Sequence, residues 1–265
     1  LGDLAEPLGF DSLWSVEHHF PGYTMVPDVL QLLTYFAGRT QEIQLGSMVV
    51  VLPWHKPIRV AEQVAMLDLL SGGRLLFGVG RGLSRIEFEG MGMPMEDSRA
   101  YFNESVEMLL TGLEQGYCEY DGSLVKQRRV DIRPRPPRSF RGRIRAAANT
   151  EESMRVAGEL GLGLLMIPQK PWDVLAKELE VYRAAYRARH TGLVPAPRFL
   201  GLVFCDEDEA RAEQRARLYM GNYWQTVIAH YDLFGAHLSR TKGYEYYADK
   251  YEAGADQMTE LFLSL

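Results

Sequence analysis

Two adjacent histidines close a short apolar segment near the start of the chain. The β-forming residues at positions 11–17 predict a strand, and Glu17, His18 and His19 stand at its end. Because neighbouring strand residues point to opposite faces, His18 and His19 are not expected to share a two-histidine metal site. A single histidine at the C-terminal end of a strand is a candidate acid or base, since its pKa lies near neutrality. A hydrogen-bonded structural histidine is the alternative.

A glycine-rich turn with one arginine closes another predicted strand. Residues 78–82 read GVGRG, like the start of a dinucleotide-binding fingerprint, but Leu83 takes the place of its last glycine. No acidic strand end follows at the usual distance either, so a dinucleotide site is not favoured. Arg81 among glycines instead predicts a charge-assisted bond to a phosphate, with a surface salt bridge as the alternative.

Two predicted helix starts supply further polar residues. Arg99 begins one helix, where it pairs with a carboxylate or provides a second phosphate ligand, and Asp97 or Ser98 is expected to cap that helix. Thr150 is predicted to cap a later helix, whose free N–H groups and positive dipole end form an anion site. Ser153 adds a hydroxyl one turn further on. The alternative is that the acidic residues of that first turn already complement the dipole.

Composition and spacing exclude several classes of protein. We expect no metal, because the remaining histidines are far apart in the sequence: His55, His190, His230 and His237. The two cysteines, Cys118 and Cys205, form no C-x-x-C motif, so a reducing cytosol and hence a cytoplasmic protein are expected. The formal net charge of -6 argues against a nucleic-acid or anionic-membrane partner. The basic stretch at 126–145 is therefore interpreted as a solvated loop.

Alternating strands and helices must position these polar residues. Helical periodicity covers residues 27–38 and 57–70. Near-continuous apolar strands alternating with helices indicate a parallel sheet of βαβ units, which either a doubly wound sheet or a closed barrel satisfies. Six strands are predicted, at residues 11–17, 43–52, 74–80, 144–148, 163–167 and 199–205.

Two segments interrupt this alternation. Residues 82–97 predict a long loop that carries Met91, Met93 and Met95. Residues 206–265 predict a helix with an acidic start and then a tyrosine-rich tail. The tyrosines of that tail are Tyr244, Tyr246, Tyr247 and Tyr251. Both segments are candidate walls or lids of a site, and ordinary packing is the alternative.

The order of the motifs resembles the bacterial luciferase family of flavin-dependent monooxygenases, and most closely its catalytic subunit. The stretches that carry the resemblance are Glu17-His18-His19-Phe20, Leu45-Gly46-Ser47 with Val51-Leu52-Pro53, Gly72-Gly73-Arg74 leading to Phe77-Gly78-Val79-Gly80-Arg81-Gly82-Leu83, Ser98-Arg99-Ala100, and Thr241-Lys242-Gly243-Tyr244. Each motif alone is common, but their combination in this order is specific.

The resemblance implies an α/β fold, the (β/α)8 TIM-type barrel, with the site at the C-terminal ends of the strands. The six predicted strands would then be the second to the seventh, with the first and the eighth apparently missing. We therefore expect residues 1–265 to form a single luciferase-like barrel domain that is incomplete at both ends. Its insertions would lie at about 82–97 and 206–265.

The resemblance also implies roles for individual residues. His18 matches the family's catalytic histidine beside the flavin ring. Arg81 and Arg99 match the arginines that hold the flavin phosphate. The implied cofactor-binding residues are Arg81, Arg99, Asn149, Thr150, Ser153, Met48 and Val49. Of these, Met48 and Val49 match positions that line the isoalloxazine.

The chain departs from the family's pattern at four positions. The family more often has an acidic residue and a serine where this chain has Asn149 and Thr150. The luciferase cysteine before the phosphate arginine is Gly80 here, and the aromatic residue three positions after that arginine is Ser84. The last two departures change the pocket wall and leave the phosphate ligands intact.

The implied activity is a flavin-dependent monooxygenation. Reduced FMN, supplied by a separate flavin reductase because no nicotinamide site is visible, would react with O2 to form a C4a-hydroperoxyflavin that oxygenates a small organic substrate, such as an aldehyde or ketone. The family also implies a homodimer formed through the helices after the second and third strands. One of those helices contains Ala61, Gln63, Ala65 and Asp68.

Three alternatives remain open at this stage. An F420-dependent oxidoreductase of the same superfamily would share the barrel. A hydrolase barrel would pair Glu17 with another carboxylate at a strand end and would bind no flavin. A non-catalytic partner subunit of the luciferase type is the third, and the retention of His18, Arg81 and Arg99 argues against it.

Overall fold

A parallel sheet dominates the computed structural model, which describes residues 1–245, 247, 259, 260 and 263. The strands of this sheet are β1 (Ser12–Ser15), β2 (Gln44–Ser47), β3 (Val50–Val51), β4 (Leu75–Gly80), β7 (Ile144–Ala147), β8 (Gly163–Met166) and β9 (Arg198–Phe199). A separate antiparallel ribbon consists of β5 (Tyr117–Asp121) and β6 (Lys126–Asp131). In the sheet the order is β1-β2-β4-β7-β8-β9, and β3 continues the line of β2 alongside β4.

The strand order distinguishes the two architectures that the sequence left open. Strands follow one another in sequence order, and every pair in the sheet is parallel. A doubly wound sheet would contain a point where the order reverses, whereas a barrel has none. The fold is thus of the (β/α)8 barrel type, with six strand positions in the described part of the chain.

Helices connect the strands and cover the sheet. They are α1 (Gly2–Ala5), α2 (Val29–Ala37), α3 (Pro57–Leu70), α4 (Arg85–Met91), α5 (Ser98–Gln115), α6 (Glu151–Glu159), α7 (Trp172–Arg189), α8 (Glu209–Tyr231) and α9 (His237–Arg240). Local signals set several of their ends. The Asp28 carboxylate accepts a hydrogen bond from the Gln31 backbone N–H and caps α2, Pro57 opens α3, and Gly116 ends α5 in the left-handed conformation.

Close contact between β2 and β4 depends on one glycine. Ser47 Oγ donates to the Gly78 carbonyl and accepts from the Gly78 N–H, both at 2.9 Å. A Cβ atom at Gly78 would lie 1.9 Å from the Ser47 carbonyl oxygen, so only glycine fits at this position. The whole of β4 is buried, which explains its unbroken run of apolar and glycine residues.

Two apolar clusters stabilise the chain. The larger one lies between the sheet and the helices α2, α3, α5, α6 and α7. The smaller one joins residues of 82–97 to α8 and the segment after it. Its buried members are Phe88, Met95, Met220, Trp224, Val227, Leu233, Leu238 and Tyr244. These two segments therefore pack on each other.

Three sequence predictions of secondary structure were wrong. Residues 82–97 are not a loop, because α4 crosses them; its buried face is only Glu87 and Phe88, too short to show a helical period. Residues 126–145 are not all loop, because 126–131 form the exposed strand β6 of the ribbon. The last strand, predicted at 199–205, comprises only Arg198–Phe199, although the other five strand positions are confirmed.

The helix α3 buries one face within the monomer. Ala61, Ala65 and Asp68 are fully buried in the monomer, so these three residues cannot form a dimer interface. The carboxylate of Asp68 instead binds both terminal nitrogens of Arg143, at 2.6 and 3.0 Å. The exposed apolar residues of α3 are Met66, Leu69 and Leu70. No helix in the described ranges is long and apolar enough to cross a membrane.

Candidate active site

A cavity of about 270 Å³ opens at the C-terminal ends of the parallel strands. The chain segments that leave β1, β3, β4, β7 and β8 all contribute to its wall, as expected for a barrel. All eight residues that the sequence singled out line it: His18, Met48, Val49, Arg81, Arg99, Asn149, Thr150 and Ser153. Tyr247 lines it as well, whereas Met91, Met93 and Met95 do not, and Tyr246 and Tyr251 lie outside the described residues.

The His18 imidazole is held between an acid and a phenol. Its Nδ1 lies 3.1 Å from Glu87 Oε1, and its Nε2 lies 3.3 Å from the Tyr231 hydroxyl. The backbone N–H of His19 donates to the same Glu87 oxygen at 2.7 Å. Since an ionised carboxylate only accepts hydrogen bonds, Glu87 places a proton on His18 Nδ1 and leaves Nε2 facing the tyrosine and the cavity.

Glu87 is ionised despite its burial. Burial alone would raise the pKa of this carboxyl, but hydrogen bonds from the His18 side chain and the His19 N–H, together with the His230 imidazole 3.4 Å away, lower the pKa to about 2. Its side chain is 1% exposed, and it comes from α4, the short helix that the sequence did not reveal. Sequence reasoning therefore missed the group that orients His18.

His230 is the second residue near His18 that sequence reasoning missed, because the histidines are far apart in the sequence. It is not isolated, because its ring stacks on Tyr23 with centroids 4.5 Å apart and lies 5.0 Å from the ring of His18. The hydroxyl of Ser84 donates to the His230 carbonyl at 3.0 Å and so fixes the end of α8. Burial raises the pKa of the Tyr23 hydroxyl, so that ring stays neutral.

His19 belongs to a different cluster, which confirms that the two adjacent histidines diverge. Glu17 Oε1 accepts from His19 Nε2 at 3.1 Å and from His55 Nε2 at 2.6 Å, and its Oε2 accepts from the Val51 N–H at 2.9 Å. Burial would raise the pKa of Glu17, but these donors lower it. The pKa of His55 is raised, because the bond to Glu17 outweighs burial. Glu17 thus ties the first strand end to β3.

We expect Glu17→Gln to lower the free energy of unfolding by about 1–3 kcal/mol, because an amide cannot accept all three hydrogen bonds and turns its own N–H groups toward donors. Urea unfolding followed by circular dichroism measures the change. Glu119→Gln, at an exposed position of the ribbon, is the matched control and should stay within about 0.5 kcal/mol of wild type. Equal stability of the two variants would show that the cluster is not structural.

Two arginines face the cavity without an acid that neutralises them. Arg81 donates to the Gly243 carbonyl at 2.6 Å and stacks on the Tyr244 ring at 3.9 Å, and it has no carboxylate partner among the described residues. Arg99 reaches Glu152 only at 4.0 Å. Burial and the charge of Arg81 lower the pKa of Arg99. Two partly buried like charges in contact with a cavity indicate a place for an anion.

Unsatisfied donors support the same interpretation. Arg81 Nη1 and Arg99 Nε are buried and have no hydrogen-bond acceptor in the described ranges. Buried donors without a partner are rare in folded proteins, and a bound phosphate would supply both with acceptor oxygens. The residues present therefore fit the phosphate of a flavin cofactor.

The start of α6 lies beside Arg99, whose Nε is 4.0 Å from Glu152 Oε1, and forms a preorganised turn. Thr150 caps the helix as predicted: its Oγ1 accepts from the Ser153 N–H at 3.2 Å and lies 2.6 Å from Ser153 Oγ. Asn149 Oδ1 accepts from the Ile167 N–H at 3.3 Å, which links β7 to the end of β8. At the start of α5 no side-chain cap is made, and Ser98 Oγ instead lies 2.9 Å from the Tyr244 hydroxyl.

Met48 and Val49 form a wall of the cavity between β2 and β3, and a cis peptide bond joins them. A Cβ atom at Gly80 would lie 2.3 Å from Val49 Cγ2. The space that a side chain at position 80 would need is therefore taken by the Val49 side chain. This explains physically why glycine stands at position 80.

The chain belongs to the luciferase-like monooxygenase family, whose sequence model matches residues 1–263. It is similar to the alkanal monooxygenase alpha chain of Photorhabdus luminescens, with 26% identity over 247 residues that cover 93% of this chain and 68% of that one. The family assignment confirms the resemblance inferred from the motif order.

Solved structures agree on the fold. Monooxygenase RslO1 of Streptomyces bottropensis superposes with a TM-score of 0.77 at 26% identity, covering 91% of this chain and 73% of that one. The oxygenating constituent of a 3,6-diketocamphane monooxygenase from Pseudomonas putida, in complex with FMN, gives 0.70 at 18%, with 99% and 82% covered. An F420-dependent secondary alcohol dehydrogenase gives 0.74 at 15%, with the same coverage. The last two show the fold alone.

Proposed function

We propose that this protein is a monooxygenase that uses reduced FMN and O2 to oxygenate a small organic substrate, for example an aldehyde or ketone. The single observation that carries the proposal is the pair Arg81 and Arg99. Each of these partly buried arginines has one buried, unsatisfied donor, and both line the same cavity as His18, Met48, Val49, Asn149, Thr150 and Ser153. A phosphate-bearing cofactor is the ligand that such a pair matches best.

In the proposed complex the arginines bind the phosphate, and the Thr150–Ser153 turn lies beside it with free N–H groups at the start of α6. Met48 and Val49 contact the flavin ring system. When bound, reduced FMN supplies the activation of O2 that no protein side chain can supply. The chain's own residues bind and orient the cofactor and exclude water from the cavity.

His18 is the proposed acid–base residue. Glu87 accepts a hydrogen bond from the His18 Nδ1–H and fixes the ring, so that Nε2, which faces the cavity, can take up or release a proton. Glu17 is not available for hydrolytic chemistry, since three donors already occupy its two oxygens. This argues against the hydrolase alternative.

The cavity wall supports a largely apolar substrate. Between the polar groups lie aliphatic and aromatic side chains from α8 and from the segment after β9; these include Leu200, Leu202, Trp224, Val227 and Leu233. Such a surface matches the carbon skeleton of an aldehyde or ketone. We further propose a cytoplasmic, homodimeric enzyme with one barrel domain that receives its FMNH2 from a separate flavin reductase.

A cofactor titration distinguishes the proposal from F420 dependence, the alternative within the same superfamily. We expect anaerobic addition of FMNH2 to saturate one site per chain, and O2 consumption to rise above the oxidase background when aldehydes or ketones are added. F420H2 should give neither binding of comparable strength nor turnover. Tight binding of F420H2 with no response to FMNH2 would overturn the assignment.

A further inference from the structure

The carboxylate of Glu87 lies between two imidazoles, and we propose that His18, Glu87 and His230 form a binding site for one divalent transition-metal ion such as Zn²⁺. Each residue offers one ligand atom, and these three atoms all lie within 4.8 Å of one another. The residues come from three separate elements: the end of β1, α4 and the C-terminal turn of α8. No sequence spacing joins them.

The distances match ligands of one ion better than a completed hydrogen-bond network. His230 Nε2 lies 3.4 Å from Glu87 Oε2, longer than the usual N–H···O distance of about 2.7–3.2 Å. With bonds of about 2.0–2.1 Å, two ligands of a tetrahedral ion lie about 3.4 Å apart. His18 Nδ1 lies 3.1 Å from Glu87 Oε1. The widest separation must therefore close by at most about 1.4 Å when an ion binds.

Buried polar atoms without partners give an independent reason. Glu87 Oε2 and both ring nitrogens of His230 make no hydrogen bond within the described part of the chain, although Glu87 is 1% and His230 3% exposed. Buried polar groups are almost always paired, with protein, water or metal. A cation between these two residues would satisfy the carboxylate oxygen and one imidazole nitrogen at once.

The chemistry of the donors selects the ion. Two imidazoles and one carboxylate suit Zn²⁺ and its first-row neighbours rather than Mg²⁺ or Ca²⁺, which prefer oxygen ligands. With the metal on Nδ1, His18 would carry its proton on Nε2, where the Tyr231 hydroxyl at 3.3 Å accepts it as an outer-shell partner. The cavity offers space for a water as a fourth ligand.

The neighbouring cluster of Glu17, His19 and His55 shows what a metal-free arrangement of the same residue types looks like. Both oxygens of Glu17 are occupied by hydrogen bonds, at 2.6–3.1 Å, from the two imidazoles and a backbone N–H. The described residues thus contain one His–Glu–His cluster with both carboxylate oxygens bonded and one with a carboxylate oxygen and an imidazole left unpaired, and the first provides the control for the second.

Binding of Zn²⁺ to the flavin-free protein tests the site. Isothermal titration calorimetry should show one Zn²⁺ per chain, and Co²⁺ should give the ligand-field absorption of a four-coordinate site. His230→Ala should weaken Zn²⁺ binding by at least about 100-fold, since loss of even an outer-shell partner costs about 10- to 100-fold. His55→Ala, in the satisfied cluster, should bind Zn²⁺ like wild type.

Three outcomes would refute the site: no stoichiometric Zn²⁺ binding by wild type, unchanged affinity in His230→Ala, or equal loss in both variants. If His230→Ala does not fold, His230→Gln keeps the volume of the side chain and serves instead, with circular dichroism as the check. Metal binding is measured without flavin, so its failure is separable from failure of the proposed function. Zinc inhibition of turnover through His18 would follow from both proposals together.

Discussion

His18→Ala should lower turnover by about 10²–10⁴-fold while leaving the affinity for FMN largely unchanged, which is the typical range for loss of a general acid or base. The side chain contacts Glu87 and Tyr231 at the cavity and is not among the phosphate-binding residues. Steady-state O2 consumption with the best carbonyl substrate measures the loss. Flavin fluorescence quenching measures the affinity.

Two controls separate proton handling from positioning. Tyr231→Phe removes only the hydroxyl that faces His18 Nε2, so a smaller loss of turnover, about tenfold, is expected, as for one hydrogen bond. Added imidazole should partly restore His18→Ala, because a free base can enter the vacated space. Wild-type turnover in His18→Ala would refute the assigned role.

Arg81→Ala should weaken FMN binding by about 1.5–3 kcal/mol, or roughly 10- to 150-fold, the usual loss for a hydrogen bond to a charged group. Riboflavin, which lacks the phosphate, should bind wild type and variant equally weakly. Arg128→Ala, at an exposed position of the ribbon, is the matched control and should bind FMN like wild type.

The riboflavin comparison makes this prediction specific. A loss that appeared for FMN and riboflavin alike would mean that Arg81 supports the pocket through Gly243 and Tyr244 rather than binding the phosphate. Arg99→Ala provides a second check. It removes one positive charge from the same cavity, so it should weaken FMN binding by a similar factor. If FMN and riboflavin bind wild type equally well, the phosphate site does not exist.

Sequence reasoning predicted those elements correctly whose residue types have a single structural role. Continuous apolar strands and Pro57 gave the positions of β4 and α3, and Thr150 was correctly predicted as a helix cap because its hydroxyl can accept from an N–H three residues later. The order of the motifs then indicated that Arg81 and Arg99 share one site, although Arg81 follows β4, Arg99 begins α5, and no spacing rule relates the two.

The rest depended on contacts between distant segments. Glu87 lies in a helix of seven residues within a glycine- and methionine-rich segment, and His230 lies 212 positions from His18, so neither carries a local signal. The pairing arises because α4 and α8 pack on each other over the strand ends.

The contact between Gly80 and Val49 makes the evolution of this pocket depend on the order of substitutions. A side chain at position 80 would overlap the valine methyl group, so Gly80→Cys is harmful while Val49 is present. Val49→Ala would remove the obstacle at a modest cost of packing. Each substitution thus changes the effect of the other. We expect relatives with a side chain larger than glycine at position 80 to have first replaced Val49 with a smaller residue. The two positions should therefore covary.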